Sequence, residues 1–142
     1  MNQQVENEER AYSAPPRTKW GAAVSSGRNG FQVLPDSLLR NQKRLGLTCT
    51  DMVVLVNVLM HWWESDPDNM PHPRPNLIAK RIGTSQRTVQ RSIARLCRRG
   101  LLKPLPSKRG SEGLAVRRFD VRGLVEVLRK LASEQLKEES AV

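Results

Sequence analysis

The chain has 142 residues and a formal net charge of +10 at pH 7, from 24 Lys and Arg against 14 Asp and Glu. This length allows one domain of ordinary size with tails, and the longest apolar run, residues 52–56, is too short to span a bilayer. The polar N-terminus lacks the apolar segment of a signal peptide. We therefore expect a cytoplasmic protein, without membrane contact, that associates with the nucleoid or with a plasmid.

The positive charge is concentrated in one stretch of the chain. No acidic residue lies between Asp68 and Glu112, whereas eleven Lys and Arg do. Such a block creates a sustained positive potential, which favours a polyanion as the partner. A solvated basic face that only keeps the protein soluble is the alternative, but the block coincides with a two-helix pattern in residues 77–102.

Residues 1–29 show no hydrophobic period. They mix Gln, Asn and Glu with paired prolines and Gly-containing turns, which predicts a disordered N-terminal arm. Arg17, Lys19 and Arg28 make the arm basic enough to order on DNA. A leader that makes no contacts is the alternative, and the composition slightly favours it.

Two helices are predicted between this arm and the basic stretch. Residues 35–46 form the first. Thr48 and Asp51 have the spacing of a capping box, in which a hydroxyl and an acid three residues later bond the free amides of a helix start. The helix that follows is apolar almost all round and ends near Trp63, which predicts the buried central helix of the domain. Residues 64–75 form a proline-rich loop.

Residues 77–102 have the pattern of a helix-turn-helix. The first helix begins at Leu77 and carries apolar residues toward the core and basic residues outward. Gly83 follows where the chain must turn sharply, a position that favours a positive φ.

The second helix of the motif, residues 85–99, is amphipathic when its residues are placed at about 100° intervals. Thr84 or Ser85 caps it, and either hydroxyl can donate to a phosphate at the helix N-terminus. One narrow sector, which must face the core, contains Val89, Ile93 and Leu96. The opposite side contains Arg87, Arg91 and Arg98, flanked by Gln90 and Ala94.

The polar side of this helix consists of residue types that recognise DNA bases. Arg forms two hydrogen bonds with guanine and Gln two with adenine, and the first turns of such a helix enter the major groove. The predicted base-reading residues are Gln86, Arg87, Gln90 and Arg91. The predicted contacts to the DNA backbone are Lys80, Thr84, Ser85, Arg95, Arg98, Lys108 and Arg109. The alternative for any single arginine is an ordinary exposed side chain.

A β-hairpin follows this helix directly, which is the position of a wing. Residues 101–105 and 114–121 predict its strands, and residues 107–113 predict its polar loop, whose basic residues can reach the adjacent DNA backbone. A last helix from Arg122 has a broad apolar stripe. This stripe either docks on the domain or is shared with a second copy in a homodimer, because paired domains on two half-sites multiply weak contacts.

The motif resembles that of a known family. It consists of Pro73 to Ala79 followed by Gly83-x-Ser85-x-x-Thr88-Val89-x-Arg91-x-Ile93-x-x-Leu96-x-x-x-Gly100-Leu101-Leu102. With Leu47-Thr48 and the apolar helix upstream, residues 31–120 resemble the winged helix-turn-helix domains of bacterial, phage and plasmid regulators and replication proteins. The chain departs from the family at Arg74, where a Ser that caps the helix is common, and the resemblance therefore implies Asn76 as the substitute cap.

The resemblance implies a mainly α fold: a winged helix-turn-helix, with a helical core and a β-hairpin wing, followed by a C-terminal helix. We expect a flexible arm in residues 1–29, the DNA-binding domain in residues 30–121, and a helix and tail for docking or dimerisation in residues 122–142.

The leading functional hypothesis is a repressor-like transcriptional regulator that binds double-stranded DNA with sequence specificity, reading the major groove with helix 85–99. The alternative within DNA binding is a replication-initiation or segregation protein of a plasmid or phage, which would make the same contacts. A winged-helix module that binds an acidic protein is a less favoured alternative, because the exposed side of helix 85–99 is neither apolar nor mixed in charge.

Catalytic, cofactor and metal patterns are absent from the sequence. There is no Gly-x-Ser-x-Gly, no phosphate-cradling glycine loop and no Cys/His cluster, so we expect neither an enzyme nor a bound cofactor or metal. His61 and His72 lack metal-ligand spacing. Cys49 and Cys97 are expected to be buried, reduced thiols. The remaining length leaves no evident domain for a small-molecule ligand.

Overall fold

The described part of the chain is mainly helical and carries one small antiparallel sheet. The computed structural model describes residues 19–25, 31–62, 70–109 and 115–141. Their helices are α1 (Ala22–Ser25), α2 (Asp36–Arg40), α3 (Cys49–Leu59), α4 (Pro75–Ile82), α5 (Gln86–Arg98) and α6 (Arg122–Ser140), and their strands are β1 (Lys103–Arg109) and β2 (Ala115–Asp120). This order of elements confirms the predicted fold class, a helical core with a hairpin wing and a C-terminal helix.

The chain divides into two units, Met1–Val33 and Leu34–Val142. The first contains α1, a four-residue helix in a stretch that was expected to carry no regular element. In this unit the Lys19 ammonium lies 5.9 Å from the centre of the Trp20 ring, within the range of a cation–π contact. Most of the arm predicted in residues 1–29 lies outside the described residues.

The start of α3 confirms the predicted capping box. The Asp51 amide donates to the Thr48 hydroxyl at 3.0 Å, and the Thr48 amide donates to the Asp51 carboxylate at 3.2 Å. The helix ends at Leu59, however, and not near Trp63 as predicted. Its last turn tightens, because the amides of His61 and Trp62 bond carbonyls three residues back instead of four.

The helix α4 begins at Pro75, two residues before the predicted start at Leu77. Proline suits the first helical position because its φ is preset and its missing N–H would have no partner there. Arg74 occupies the N-cap position without a side-chain hydrogen bond. The side-chain Oδ1 of Asn76 accepts a hydrogen bond from the Leu77 amide at 2.9 Å, so Asn76 acts as the second residue of the helix and not as its cap.

The core of the second unit is aliphatic and centred on α5. Both α3 and α4 pack against α5, and α2 packs against α6. Its most deeply buried side chains include Leu38, Leu55, Ile78, Val89, Leu96, Leu101, Leu102 and Val121. Burying each such side chain stabilises the fold by about 1.5–3 kcal/mol relative to exposure. Among the described residues, no helix combines the length and apolar content that crossing a membrane requires.

The wing consists of β1 and β2, paired antiparallel from Lys103 opposite Asp120 to Arg109 opposite Ala115. The first strand was predicted in residues 101–105. It begins two residues later, because Leu101 and Leu102 are buried in the core, and it ends at Arg109, inside the stretch predicted as the loop. Its pairing shifts after Leu105, an irregularity of the kind that sharpens strand twist.

Two backbone contacts fix the base of the wing. The Phe119 amide in β2 donates to the Pro71 carbonyl at 2.9 Å, which ties the returning strand to the segment before α4. Gly123, at the start of α6, approaches the carbonyl oxygen of Gly100 so closely that a Cβ at this position would overlap it. The position therefore requires glycine for space and not for backbone conformation.

Candidate nucleic-acid interface

The candidate interface is built on the turn between α4 and α5. Gly83 ends α4 in the left-handed conformation, with φ at +72° and open space where a side chain would lie. Glycine is needed here for its backbone conformation, because other residues adopt a positive φ only at a cost of about 1–2 kcal/mol. Ile78 and Ala79 are buried on the inner side of α4, where this helix packs against α5, so the apolar residues face the core as the sequence predicts.

The start of α5 resolves which of two hydroxyls caps the helix. The Thr88 amide donates to the Ser85 hydroxyl at 3.1 Å, and the hydroxyls of these two residues lie 2.9 Å apart. Thr84 is half-buried, and its amide donates to the Ala79 carbonyl at 3.0 Å. Ser85 is therefore the cap. Contacts of Thr84 and Ser85 with a DNA phosphate stay predictions.

The two faces of α5 differ as the spacing predicts. Val89, Ile93 and Leu96 are buried in the core, which confirms the inner sector. The predicted base-reading residues, Gln86, Arg87, Gln90 and Arg91, are all exposed. Among the described residues, none of these four side chains has a hydrogen bond or ion pair within the protein. We call these four residues the reading face.

Four other predicted contacts to the DNA backbone lie on the two helices of the motif and on the wing. Lys80 and Arg98 are exposed on α4 and α5, and Arg81, which the sequence analysis did not select, is exposed beside Lys80. Lys108 and Arg109 lie in β1 next to the far end of the wing, but their side chains are outside the described part of the structure. Phosphate contacts by Lys80, Arg98, Lys108 and Arg109 stay predictions.

Arg95 differs from the other predicted phosphate contacts, because it already has a partner inside the protein. Its Nη2 lies 2.7 Å from Asp51 Oδ1, and its Nε donates to the same carboxylate at 3.1 Å. The Ser92 hydroxyl donates to Asp51 Oδ1 at 2.7 Å. Arg95 therefore joins α5 to α3 through an acid that lies outside the basic stretch of the sequence. Its contact with a DNA phosphate stays a prediction.

The Asp51 carboxylate is fully buried yet remains ionised. Burial alone raises the pKa of this group, but hydrogen bonds from Arg95, Ser92 and Thr48 outweigh that effect and lower the pKa from 3.8 to about 2. From the sequence, Asp51 is predicted only as the acid of the capping box of α3. The sequence contains one indication that α5 has a buried polar partner. Ser92 lies within the apolar sector of the helix, and a buried hydroxyl requires a hydrogen-bond partner.

Neither the histidines nor the cysteines form a metal site in the described residues, where no group of three or more ligand side chains comes together. The rings of His61 and His72 lie 6.4 Å apart, and burial, with Arg81 and His72 nearby, lowers the pKa of His61.

Cys49 is exposed, contrary to the prediction, because it lies on the outer side of the first turn of α3. Cys97 is half-buried, and burial raises the pKa of its thiol.

Comparison with known proteins places the chain in a family. Residues 34–140 match the model of the DnaD N-terminal domain. The fold is similar to the crystal structure of the N-terminal domain of the DnaD protein from Geobacillus kaustophilus HTA426, with a TM-score of 0.57 and 19% sequence identity over 100% of both chains. No curated protein sequence matches the chain. Because the family model covers most of the sequence, the chain belongs to the DnaD N-terminal domain family.

Proposed function

We propose that this protein is a non-enzymatic factor of DNA replication that binds double-stranded DNA with sequence preference. The α5 helix would lie in the major groove, with the reading face toward the base edges. The exposed basic residues of α4, α5 and the wing would contact phosphates on either side. Phosphate contacts supply most of the affinity in such an interface, and base contacts supply the sequence preference.

The observation that carries this proposal is the reading face itself. Its arginines and glutamines are exposed at the N-terminal end of a helix that is capped and anchored by its opposite side. A rigid scaffold with bidentate donors on the first helical turns is what recognition of base edges requires. Asp51 of α3 is buried and paired with Arg95. Its negative charge therefore does not reduce the positive charge of the exposed side of α5.

Family membership favours replication over the repressor role, which was the leading hypothesis from the sequence alone. The DnaD N-terminal domain family is replication-related and has a winged-helix-like DNA-binding fold. A replication-initiation protein and a repressor would use the same groove contacts. The difference between them is therefore the arrangement of their sites on DNA and not the chemistry of α5.

A homodimer would suit this proposal, since replication factors that bind repeated sites gain affinity from paired domains. The exposed apolar residues of α6, Val125 and Leu136, are candidates for the contact between copies. Light scattering of the wild type and of Leu136→Asp tests this point. Equal masses for the two proteins would exclude a dimer that depends on this position.

The first experiment tests duplex binding by the reading face. Short duplexes are titrated with the wild type, Arg87→Ala and Arg91→Ala, with Arg129→Ala as a control that removes an exposed arginine from α6. If six to eight phosphates are contacted, wild-type affinity should fall by about a thousandfold or more between roughly 50 and 200 mM salt. Each reading-face variant should lose roughly tenfold or more on a preferred duplex, and less on random duplex.

Two outcomes would contradict the proposal. Equal losses on preferred and random duplexes would remove base reading by these arginines. A loss of affinity with Arg129→Ala as large as that with Arg87→Ala or Arg91→Ala would show that binding depends on the net positive charge of the protein and not on the reading face.

The second experiment separates replication from transcription. The wild type is footprinted on plasmid and phage DNA that contains both an origin and promoters. Protection of directly repeated sites next to the origin is expected. Protection confined to a single promoter operator would support the repressor alternative instead.

A further inference from the structure

A polar cluster of three side chains joins the start of α3 to the middle of α5. Asp51 lies at its centre, and its carboxylate accepts hydrogen bonds from the Ser92 hydroxyl and from two nitrogens of Arg95. The same carboxylate accepts the Thr48 amide in the capping box. One buried acid thus fixes the first turn of α3 and also binds two side chains of α5, which lie more than 40 residues later in the sequence.

The cluster constrains α5 in a way that its apolar contacts do not. Val89, Ile93 and Leu96 hold the helix against the core, but apolar packing is non-directional and tolerates small changes in volume and position. Hydrogen bonds weaken steeply with distance and angle. Since Ser92 and Arg95 come from adjacent turns, bonding both to one carboxylate fixes the rotation of α5 about its axis and its position along it.

Stability alone is a weak reason for such a cluster. A buried ion pair must overcome the loss of hydration of both groups, and apolar residues of similar volume are often as stabilising. What an apolar replacement does not reproduce is the fixed geometry. Base recognition depends on that geometry, because side chains must be held within about 0.5 Å of their productive positions.

The position of Arg95 adds a second consequence. Arg95 lies one helical turn after Arg91, so the two residues share one side of α5. The Arg95 guanidinium is nevertheless directed to Asp51, and only about a third of the side chain is exposed. The positive charge of Arg95 is therefore paired with Asp51 inside the protein, whereas the charge of Arg91 has no partner among the described residues.

We propose that Asp51, Ser92 and Arg95 form a positioning cluster that orients α5 for base recognition, with Arg95 acting inward and not as a phosphate contact. This inference rests on the proposed function, since it presupposes that α5 recognises bases. In this arrangement Asp51, a residue of α3, affects the sequence preference of α5 although it does not itself contact DNA.

The test compares sequence preference with general DNA affinity in the full chain. A preferred duplex is first selected from a randomised library by the wild type. Affinities are then measured for this duplex and for a scrambled duplex of the same composition. The variants are Ser92→Ala, Asp51→Asn and the double variant Asp51→Asn/Arg95→Gln, which keeps hydrogen-bonding groups but removes both charges. Circular dichroism confirms that each variant is folded at the assay temperature.

The expected result is a lower ratio of preferred to scrambled affinity with little change on scrambled duplex. The double variant should lose at least about tenfold in this ratio, the discrimination of roughly one bidentate base contact. Its salt dependence should equal that of the wild type, because Arg95 contributes no phosphate contact. Arg98→Gln, which removes an exposed arginine from the same helix, should instead reduce the slope of log affinity against log salt by about one.

A core variant separates orientation from loss of stability. Val58→Ala removes buried methyl groups from α3 but no group of the cluster, so it should lower the melting temperature and leave the affinity ratio unchanged. Ser92→Ala keeps both charges, and it therefore tests the cluster even if the Asp51 variants fail to fold.

Three outcomes would overturn the inference. An unchanged affinity ratio in Ser92→Ala and in the folded double variant would remove the positioning role. A salt slope lowered by about one in the double variant would make Arg95 a phosphate contact. Failure of the wild type to select any preferred duplex would contradict sequence-specific binding, and thus the proposed function itself.

Discussion

Two ion pairs of nearly equal length join distant parts of the second unit, and they differ mainly in their exposure to water. Asp51 and Arg95 join α3 to α5 at 2.7 Å with a buried carboxylate. Arg44 and Glu134 join the turn after α2 to α6 at 2.6 Å, with both side chains more than half exposed. Water and side-chain entropy offset most of the attraction in an exposed pair, whereas a buried charge that loses its partner cannot recover its hydration. Burial of the carboxylate, and not the distance, decides what each pair contributes.

The largest expected effect comes from removing the cation of the buried pair. Arg95→Ala leaves the Asp51 carboxylate buried with fewer donors, so the free energy of unfolding should fall by about 3 kcal/mol or more. Urea denaturation measures this loss. The double variant Asp51→Asn/Arg95→Gln is the control, and it should be more stable than Arg95→Ala. Equal stability of the two would mean that the charge on Asp51 is not the cause.

Acid should affect the buried pair next most strongly. The pKa of Asp51 is lowered in the folded state, so its contribution to stability is complete above its unfolded pKa near 3.8 and is lost as the pH falls toward 2. This difference in pKa corresponds to about 2 kcal/mol. Urea midpoints of the wild type and Asp51→Asn should therefore converge between pH 4 and 2. Midpoints that stay parallel over this range would contradict the assigned pKa.

Asp120 requires its own control in that experiment. A hydrogen bond from Arg122 lowers the pKa of Asp120, so this carboxyl adds to the same loss of stability in acid. Asp120→Asn should remove only the loss of stability in acid that is due to Asp120, and the loss that is due to Asp51 should remain.

A smaller effect is expected from the hydroxyl in the buried cluster. Ser92→Ala removes a hydrogen bond to a charged group, which should lower the free energy of unfolding by about 1.5 kcal/mol. Ser140→Ala is a matched control, because its hydroxyl donates to the Leu136 carbonyl in an exposed position. The control should change stability by less than about 0.5 kcal/mol. Similar losses for the two variants would show that burial does not distinguish the two hydroxyls.

The exposed ion pair should give the smallest effect. Arg44→Ala should cost less than about 1 kcal/mol, and the difference from the wild type should shrink further in high salt. A double-mutant cycle with Glu134→Ala measures the coupling between the two side chains. A coupling as large as that between Asp51 and Arg95 would invalidate the comparison.

The sequence predicted the local features of the interface well, because they depend on residues close in sequence. The apolar sector of α5 follows from the spacing of Val89, Ile93 and Leu96, and the turn follows from Gly83 and the hydroxyls after it. The predicted start of α4 is two residues too late, because Pro75 itself occupies the first helical position and no side chain before it caps the helix.

The partner of Arg95 was not predictable in the same way. Its periodic position is at the edge of the polar side of α5, which fits a phosphate contact as well as an internal ion pair. Only the packing of α3 against α5 brings Asp51 within reach. Tertiary contacts of this kind have no periodic pattern in the sequence, and a single polar residue in an apolar sector, such as Ser92, is the one local indication of them.

The contact between Gly123 and Gly100 has a mechanical consequence for the wing. It pins the chain where the hairpin leaves α5 to the chain where the hairpin enters α6, and the bond from Phe119 to Pro71 adds a third point of attachment. A hairpin clamped at its root cannot swing as a rigid flap. The position of the root of the wing relative to α5 and α6 is therefore set by the protein before any duplex is bound.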